Sequence, residues 1–299
     1  MKIGVVLPPG SIGAPGHVLS YRELRDFAQQ AEALGLDSVW IYDHLMFQFP
    51  EQPQEAVLEG WTVLTGLAEA TQRVELGTFV ICTAFRHPAV LAKMAVTLDE
   101  LSNGRLILGL GAGWHEPEFT AFGLPFNHLV DRFEEAVRII APLVREGEVD
   151  FQGTYYSANA CQMLPRPTRR IPIMIASKRP RMMRLTAKFA DSWNQSGLAN
   201  VDALEPRRAE LLAITAAAGR DPATLAITGG VNVGFPDLPG IADLPDGALP
   251  AGLNGSPEEI AAGLRAFADS GVSHLMAWLY PLTPAAMERF AEAVRLARE

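Results

Sequence analysis

The chain has 299 residues, of which 48% are hydrophobic and 20% charged, enough for one large α/β domain or for two domains. Its formal net charge of −9 argues against nucleic-acid binding, because a basic footprint is missing. Two cysteines, Cys82 and Cys161, cannot build a disulfide framework, which favours a reduced cytoplasmic protein.

Short apolar runs alternate with segments of helical periodicity along the chain. The first run, MKIGVVLPPG, stops at two prolines and indicates a strand rather than a signal peptide. No apolar stretch approaches the roughly 20 residues that a membrane span needs. The predicted strands are residues 2–7, 38–42, 74–81, 105–110, 172–176, 191–194, 225–233 and 273–279. The helices predicted to follow them are residues 20–34, 60–71, 88–101, 129–145, 180–190, 201–218, 257–270 and 284–298.

Eight strand–helix units in this order predict a (β/α)8 TIM barrel that spans residues 1–299. Ser256, Pro257 and Glu259 support the count, since they match an N-cap, a first-turn proline and a capping-box glutamate. A doubly wound open sheet is the alternative. Three connections are longer than a barrel requires and are predicted insertions: residues 45–59, 147–171 and 234–255.

The strand at 105–110 runs into glycines and then into an aromatic residue, at the barrel face where functional sites lie. Gly109, Gly111 and Gly113 do not complete a dinucleotide fingerprint, because Trp114 stands where the last glycine belongs. Two interpretations remain open. Either the glycines allow a flat ring to lie against the strand end beside Trp114, or they relieve crowding between chain segments at the barrel rim while Trp114 lies in the core.

Asp43 and His44 end the second predicted strand. A histidine at the carboxyl end of a strand can take part in proton transfer. The alternative is that Asp43 caps the next segment and His44 is an ordinary loop residue.

Ser177, Lys178 and Arg179 open the fifth predicted helix. A hydroxyl, two cations and a helix N-terminus together predict an anion site, with phosphate as the expected ligand. A solvated basic loop is the alternative.

Other chemistries find less support in the residues. Cys82 is interpreted as a buried, inert thiol rather than a nucleophile. His44, His115 and Glu116 follow no metal-ligand spacing, which leaves a metal-dependent barrel hydrolase without a recognisable ligand set. Neither a G-x-S-x-G elbow nor a P-loop lysine is present.

Four segments resemble the luciferase-like monooxygenase superfamily. They are SVWIYDHL (38–45), LGTFVICTAFRHP (76–88), RHPAVLAKMAVTLDELSNGRLILGLGAGWHEPEFTAFG (86–123) and RMMRLTAKFADSWN (181–194). The resemblance implies a luciferase-like (β/α)8 barrel that binds FMN or the deazaflavin F420 at its carboxyl face. The glycine-ended fourth strand resembles the F420-using branch more than the FMN monooxygenases.

The resemblance also implies roles for particular residues. His44 would assist proton transfer beside the hydride-bearing ring, and Trp114 would wall that ring. A non-prolyl cis peptide is implied between Phe79 and Val80. The implied cofactor contacts are Asp43, Phe79, Val80, Cys82, Ala112, Gly113, Ser177, Lys178 and Arg179.

One turn departs from the family pattern. Where relatives have a glycine-rich turn around the cofactor phosphate, this chain has Ser177, Lys178 and Arg179. Side-chain hydroxyl and charge either replace the backbone contacts or obstruct the phosphate, so F420 and FMN both remain open.

The expected function is F420-dependent hydride transfer to or from a small organic substrate, in a cytoplasmic homodimer. One alternative is an FMNH2/O2-dependent monooxygenase, which would need a flavin reductase as a partner. The other is a non-catalytic flavin-binding protein. No nucleic-acid or membrane partner is expected.

Overall fold

The structure is a computed structural model that describes residues 1–10, 18–51, 54–241, 244 and 248–299. Its strands are β1 (Lys2–Val6), β2 (Ser38–Ile41), β3 (Glu75–Thr78), β4 (Ile81–Cys82), β5 (Leu106–Gly111), β6 (Glu148–Gln152), β7 (Ser157–Gln162), β8 (Ile173–Ala176), β9 (Ser192–Leu198), β10 (Ala226–Gly234), β11 (Leu253–Asn254) and β12 (His274–Tyr280). Its α-helices are α1 (Tyr21–Ala33), α2 (Gly60–Ala70), α3 (Pro88–Leu101), α4 (Glu116–Ala121), α5 (Leu129–Arg145), α6 (Pro180–Phe189), α7 (Glu205–Ala217), α8 (Pro257–Asp269) and α9 (Pro284–Arg298).

Parallel strand pairing closes the main sheet on itself. The order runs β1, β2, β3, β5, β8, β9, β10 and β12, and β12 then pairs with β1. The longest ladder joins β10 and β12, from Thr228 opposite His274 to Gly234 opposite Tyr280. An open doubly wound sheet would leave two unpaired edges, so the predicted (β/α)8 barrel is confirmed and that alternative is wrong.

Side chains fill the inside of the barrel. Val6, Trp40, Met174 and Met276 form one buried cluster and come from four different barrel strands. Alternate residues of the same strands pack outward against the helices in a larger cluster. Each large apolar side chain buried in this way contributes about 1.5–3 kcal/mol to folding. The barrel is therefore a packed core, and open space is left at its mouth.

Helix starts follow the capping signals in the sequence. The Ser256 hydroxyl accepts the Glu259 N–H at 3.4 Å, and Glu259 Oε2 accepts the Ser256 N–H at 2.8 Å. Pro117 also lies in the first turn of a helix, α4, where a missing N–H costs no hydrogen bond.

Two predicted strands differ from the structure by more than one residue at an end or in continuity. The strand at 74–81 is divided into β3 and β4 by a cis peptide bond between Phe79 and Val80, as the resemblance implied. The strand predicted to end at Asn194 continues to Leu198.

The predicted insertions differ in character. Residues 147–171 carry an antiparallel hairpin, β6 and β7, which the sequence analysis treated as a loop. Residues 45–59 include an isolated antiparallel bridge between Phe47 and Glu55. Parts of the insertions at 45–59 and 234–255 lie outside the described residues. Among the described helices, none is both long enough and apolar enough to cross a membrane.

Candidate active site

A cavity of about 680 Å³ opens at the carboxyl ends of the barrel strands. We call it the mouth cavity. All of the nominated site residues line it: Asp43, His44, Phe79, Val80, Cys82, Ala112, Gly113, Trp114, Ser177, Lys178 and Arg179. They come from segments far apart in sequence, which meet because parallel strands end at the same barrel face. The volume is typical of a site for a small molecule or cofactor.

His44 is held in the mouth cavity by a buried carboxylate. Its Nδ1 lies 3.0 Å from Glu118 Oε1, and Glu118 Oε2 accepts the Leu45 N–H at 2.9 Å. The carboxylate favours a proton on Nδ1, which leaves Nε2 as the proton-accepting nitrogen. Within the described residues, Nε2 of His44 makes no hydrogen bond. His44 is therefore a positioned residue and not an ordinary loop histidine.

His115 lies beside this pair and has a different task. Its Nε2 accepts the Gln48 N–H at 3.0 Å, which ties the insertion at 45–59 to the start of α4. Burial lowers the pKa of His115, against the attraction of Glu118, so the neutral ring is favoured. Nε2 of His115 is therefore already engaged in a hydrogen bond within the chain.

The Asp43 carboxylate has partners within the chain. Its two oxygens accept hydrogen bonds from both terminal nitrogens of Arg86, at 2.7 and 2.9 Å, and from the Cys82 N–H at 3.0 Å. Arg86 also contacts Glu59, which caps α2. Asp43 borders the mouth cavity, but its carboxylate chiefly fixes the cavity wall.

The glycines at the end of β5 make room for the chain itself. A Cβ at Gly111 would lie 2.6 Å from Val80 Cγ2, and one at Gly113 would lie 2.7 Å from Cys82 Sγ. The interpretation that they relieve crowding therefore fits these positions better than approach of a ligand. Trp114 is not core, however, since it is 60% exposed, and its ring lies 5.5 Å from that of His44.

Cys82 is buried, and burial raises the pKa of its thiol well above the usual range. The thiolate is the reactive form of cysteine, so this environment favours the inert thiol of the earlier interpretation.

The turn before α6 contributes charge to the mouth cavity. Lys178 and Arg179 are exposed and form no ion pair with any described residue. The first turn of α6 has no side-chain cap, so its N–H groups are available to an anion. The Ser177 hydroxyl, by contrast, is buried and lies 2.9 Å from Thr186 Oγ1. Two cations and a helix N-terminus therefore form the candidate anion site without that hydroxyl.

Asn194 was not nominated from the sequence and lines the mouth cavity. Its Nδ2 donates to Thr228 Oγ1 at 3.0 Å, while its buried Oδ1 has no hydrogen-bond partner among the described residues. An unpaired buried acceptor costs about 1–3 kcal/mol, so this atom marks a place for a ligand donor. Glu118 was missed as well, although its i+3 spacing from His115 on a short helix was a usable signal.

No group of three or more histidine, cysteine or acidic residues with metal-binding geometry occurs in the part of the chain that the structure describes.

Fold and cavity together define a (β/α)8 barrel protein with a cavity of small-molecule size at its carboxyl face. Residues 1–235 match the family model for luciferase-like monooxygenases. Since this match covers most of the chain, the protein belongs to the luciferase-like monooxygenase family.

Curated relatives fall into two groups. An F420-dependent glucose-6-phosphate dehydrogenase from Kineococcus radiotolerans is 39% identical over 175 residues, which are 57% of this chain and 51% of the relative. The same kind of enzyme from Amycolatopsis mediterranei is 34% identical over 58% of this chain and 52% of the relative. Pyrimidine monooxygenase RutA from Agrobacterium fabrum is 30% identical over 76% of this chain and 66% of the relative. The chain thus spans about half the length of the dehydrogenases it matches.

Solved structures share the whole fold. An F420-dependent secondary alcohol dehydrogenase, in complex with an F420–acetone adduct, superposes with a TM-score of 0.82 at 19% identity, covering 100% of this chain and 99% of the other. Monooxygenase RslO1 from Streptomyces bottropensis gives a TM-score of 0.78 at 22% identity, covering 100% of both chains. At these identities the likeness shows the fold alone.

Proposed function

We propose that the protein is an oxidoreductase that binds F420 in the mouth cavity and exchanges hydride with a small organic substrate. The observation that carries the proposal is that His44, held by Glu118, lines the same cavity as Lys178 and Arg179, which form no ion pair with any other described residue. One part of the cavity wall is therefore suited to proton transfer and another to an anionic group.

The residues present fit a deazaflavin. Its pyrimidine ring carries an N–H donor. Asn194 Oδ1, which has no hydrogen-bond partner among the described residues, could accept from that donor. Its side chain carries a phosphodiester, which Lys178, Arg179 and the N-terminus of α6 can bind. FMN offers the same N–H donor and, in place of the phosphodiester, a terminal phosphate monoester. F420 is proposed because the relatives at 34% and 39% identity are F420-dependent dehydrogenases.

F420 would supply hydride exchange when bound, and the chain would supply orientation and proton handling. His44 Nε2 holds the proton that leaves or joins the substrate oxygen. Glu118 keeps the opposite nitrogen, Nδ1, protonated and fixes the plane of the ring. The Trp114 ring lies edge-on to the His44 ring and would form a wall beside it.

An FMNH2/O2-dependent monooxygenase with a separate flavin reductase is the second candidate. It is favoured by the RutA relative, whose alignment covers more of this chain than those of the two dehydrogenases.

Parallel calorimetric titrations with F420, FMN and anaerobically reduced FMN test the proposal. F420 is expected to bind at least tenfold more tightly than either form of FMN, and the double variant Lys178→Ala/Arg179→Ala is expected to weaken it at least tenfold. Arg184→Ala is the matched control, because Arg184 is exposed on α6 and does not line the cavity.

The proposal fails if reduced FMN binds best, which would favour the monooxygenase. It also fails if F420 binds but no hydride exchange follows with any of a broad panel of alcohols and carbonyl compounds, which would favour a non-catalytic flavin-binding protein.

A further inference from the structure

A second cavity, of about 310 Å³, adjoins the mouth cavity. We call it the outer chamber. Its walls shared with the mouth cavity are Tyr42, His44, Phe79, Trp114 and Ser196, and its other described walls are Phe47, Gly197, Asn232, Trp278 and Tyr280. Because His44 borders both spaces, a molecule in the outer chamber lies next to the proposed proton-transfer group. The volume equals about ten water molecules, enough for a compound of one or two rings.

Aromatic rings dominate the outer chamber. Trp278 stacks on Tyr42 with ring centroids 5.8 Å apart and meets Phe79 edge-on at 6.3 Å. Phe47 lies 4.3 Å from the His44 ring. Such walls favour a flat or alicyclic apolar molecule, which gains from burial and from contact with the ring faces.

The described walls of the outer chamber include no acidic residue, lysine or arginine. A phosphate placed there would lose its hydration without gaining a charge partner, which is costly. Lys178 and Arg179 line the mouth cavity instead. The residues outside the description, 11–17, 52–53, 242–243 and 245–247, contain neither lysine nor arginine. The net charge of −9 adds a general repulsion of anions.

We infer that the outer chamber selects an uncharged, ring-containing alcohol or ketone and rejects phosphorylated substrates. This inference rests on the proposed function. In the oxidative direction the substrate C–H hydrogen would leave as hydride to bound F420, the O–H proton would pass to Nε2 of His44, and a C=O bond would form. One hydride, which carries two electrons, and one proton are thereby accounted for, and reduction of a ketone would run in reverse.

A matched pair of probes tests the inference. Calorimetry compares 2-naphthol with 2-naphthyl phosphate, which share a ring system and differ by the phosphate. On the unmodified protein loaded with F420, whose phosphodiester would occupy Lys178 and Arg179, 2-naphthol is expected to bind at least tenfold more tightly. Equal or tighter binding of the phosphate would overturn the inference.

A charge placed in the outer chamber sharpens the test. Asn232→Lys adds a cation to the wall and is expected to raise the affinity of 2-naphthyl phosphate relative to 2-naphthol at least tenfold. Asn254→Lys is the control, because Asn254 is exposed and does not line the chamber. The two amides are also matched in structure, since each donates one hydrogen bond to a loop carbonyl, that of Ala251 or Pro250. An equal change in the relative affinity for the two probes in Asn232→Lys and Asn254→Lys would contradict the inference.

Failure of the inference and failure of the proposed function give different results. If F420 does not bind, the proposed function fails, while the probe preference is still measured without cofactor on Lys178→Ala/Arg179→Ala, which lacks the two cations of the mouth cavity. If F420 binds and the phosphate probe is preferred, the assignment of substrate class fails by itself. If either variant does not fold, the probe pair on the unmodified protein decides.

Discussion

Replacing Arg86 with methionine removes the cation that holds Asp43 at the edge of the mouth cavity. The Asp43 side chain is fully buried, and Arg86 supplies two of the three hydrogen bonds to its carboxylate. Methionine keeps much of the apolar stem but leaves a buried carboxylate with only the Cys82 N–H.

The expected cost follows from this geometry. Breaking a buried ion pair by removing one partner costs about 3–5 kcal/mol. The lower end applies, because the Arg86 side chain is 13% exposed and water can reach the space it leaves. Loss of the contact with the more exposed Glu59 adds at most about 1 kcal/mol. A loss of about 3 kcal/mol is a large part of the 5–15 kcal/mol that stabilises a typical protein.

Urea unfolding at pH 7.5, followed by tryptophan fluorescence, measures this loss. The expected result is a lower urea concentration at the unfolding midpoint with an unchanged dependence of the free energy of unfolding on urea. Arg181→Met is the matched control, since Arg181 pairs with Asp131 and Glu134 at the surface and is expected to lose less than about 1 kcal/mol. The double variant Arg86→Met/Asp43→Asn is expected to recover most of the loss, because no charge remains buried.

Acidity supplies an independent check. Burial raises the pKa of the Asp43 carboxyl even beside Arg86, and removing Arg86 raises it further. The folded variant then binds more protons than the unfolded chain, so its deficit relative to the unmodified protein shrinks as the pH falls from 8 to 5. The reasoning is refuted if Arg86→Met costs no more than Arg181→Met, or if the double variant is no more stable than Arg86→Met.

Three further predictions concern the neighbourhood of His44. Glu118→Gln is expected to lower turnover on the order of tenfold or more and to shift the pH profile of kcat, with cofactor affinity within twofold. Glu116→Gln, at an exposed neighbouring position, is the control and is expected to change neither turnover nor the pH profile. An unshifted pH profile in Glu118→Gln would contradict the positioning role of Glu118. Burial lowers the pKa of His115, so the stability that its neutral ring contributes is present above the unfolded pKa of about 6.5 and is lost as the pH falls below it. The protection factors of amide hydrogens in the tethered insertion, which correct for the intrinsic slowing of exchange with falling pH, should therefore decrease below that pH, and protection factors that stay constant would exclude the tether. Iodoacetamide is expected to modify half-exposed Cys161 well before buried Cys82 in the folded protein, and mass spectrometry that finds the reverse order would refute the inert thiol.

The barrel and the location of the site could be predicted because they depend on local patterns. Eight apolar runs alternating with helical segments specify the strand order, and closure brings every strand end to one mouth. Asp43 and His44 were found because they directly follow such a run.

Long-range pairing explains what the sequence did not show. Nothing near Asp43 in the chain indicates that Arg86 binds its carboxylate, and nothing near His44 indicates Glu118. The glycines of β5 illustrate the same limit, since a missing Cβ accommodates a ligand or a neighbouring strand equally well. The structure shows that Val80 takes the space beside Gly111.

The two cavities share five walls and take the others from different parts of the barrel. Most walls of the mouth cavity come from β2 to β8 and their loops, while Trp278 and Tyr280 of the outer chamber lie on the last strand, beyond the 1–235 segment that matches the family. Trp278 packs against Tyr42 and Phe79, which line both cavities, so its replacement would disturb both. Under the proposed function, redesign for a new substrate should therefore begin at Tyr280, which among the described walls belongs to the outer chamber only.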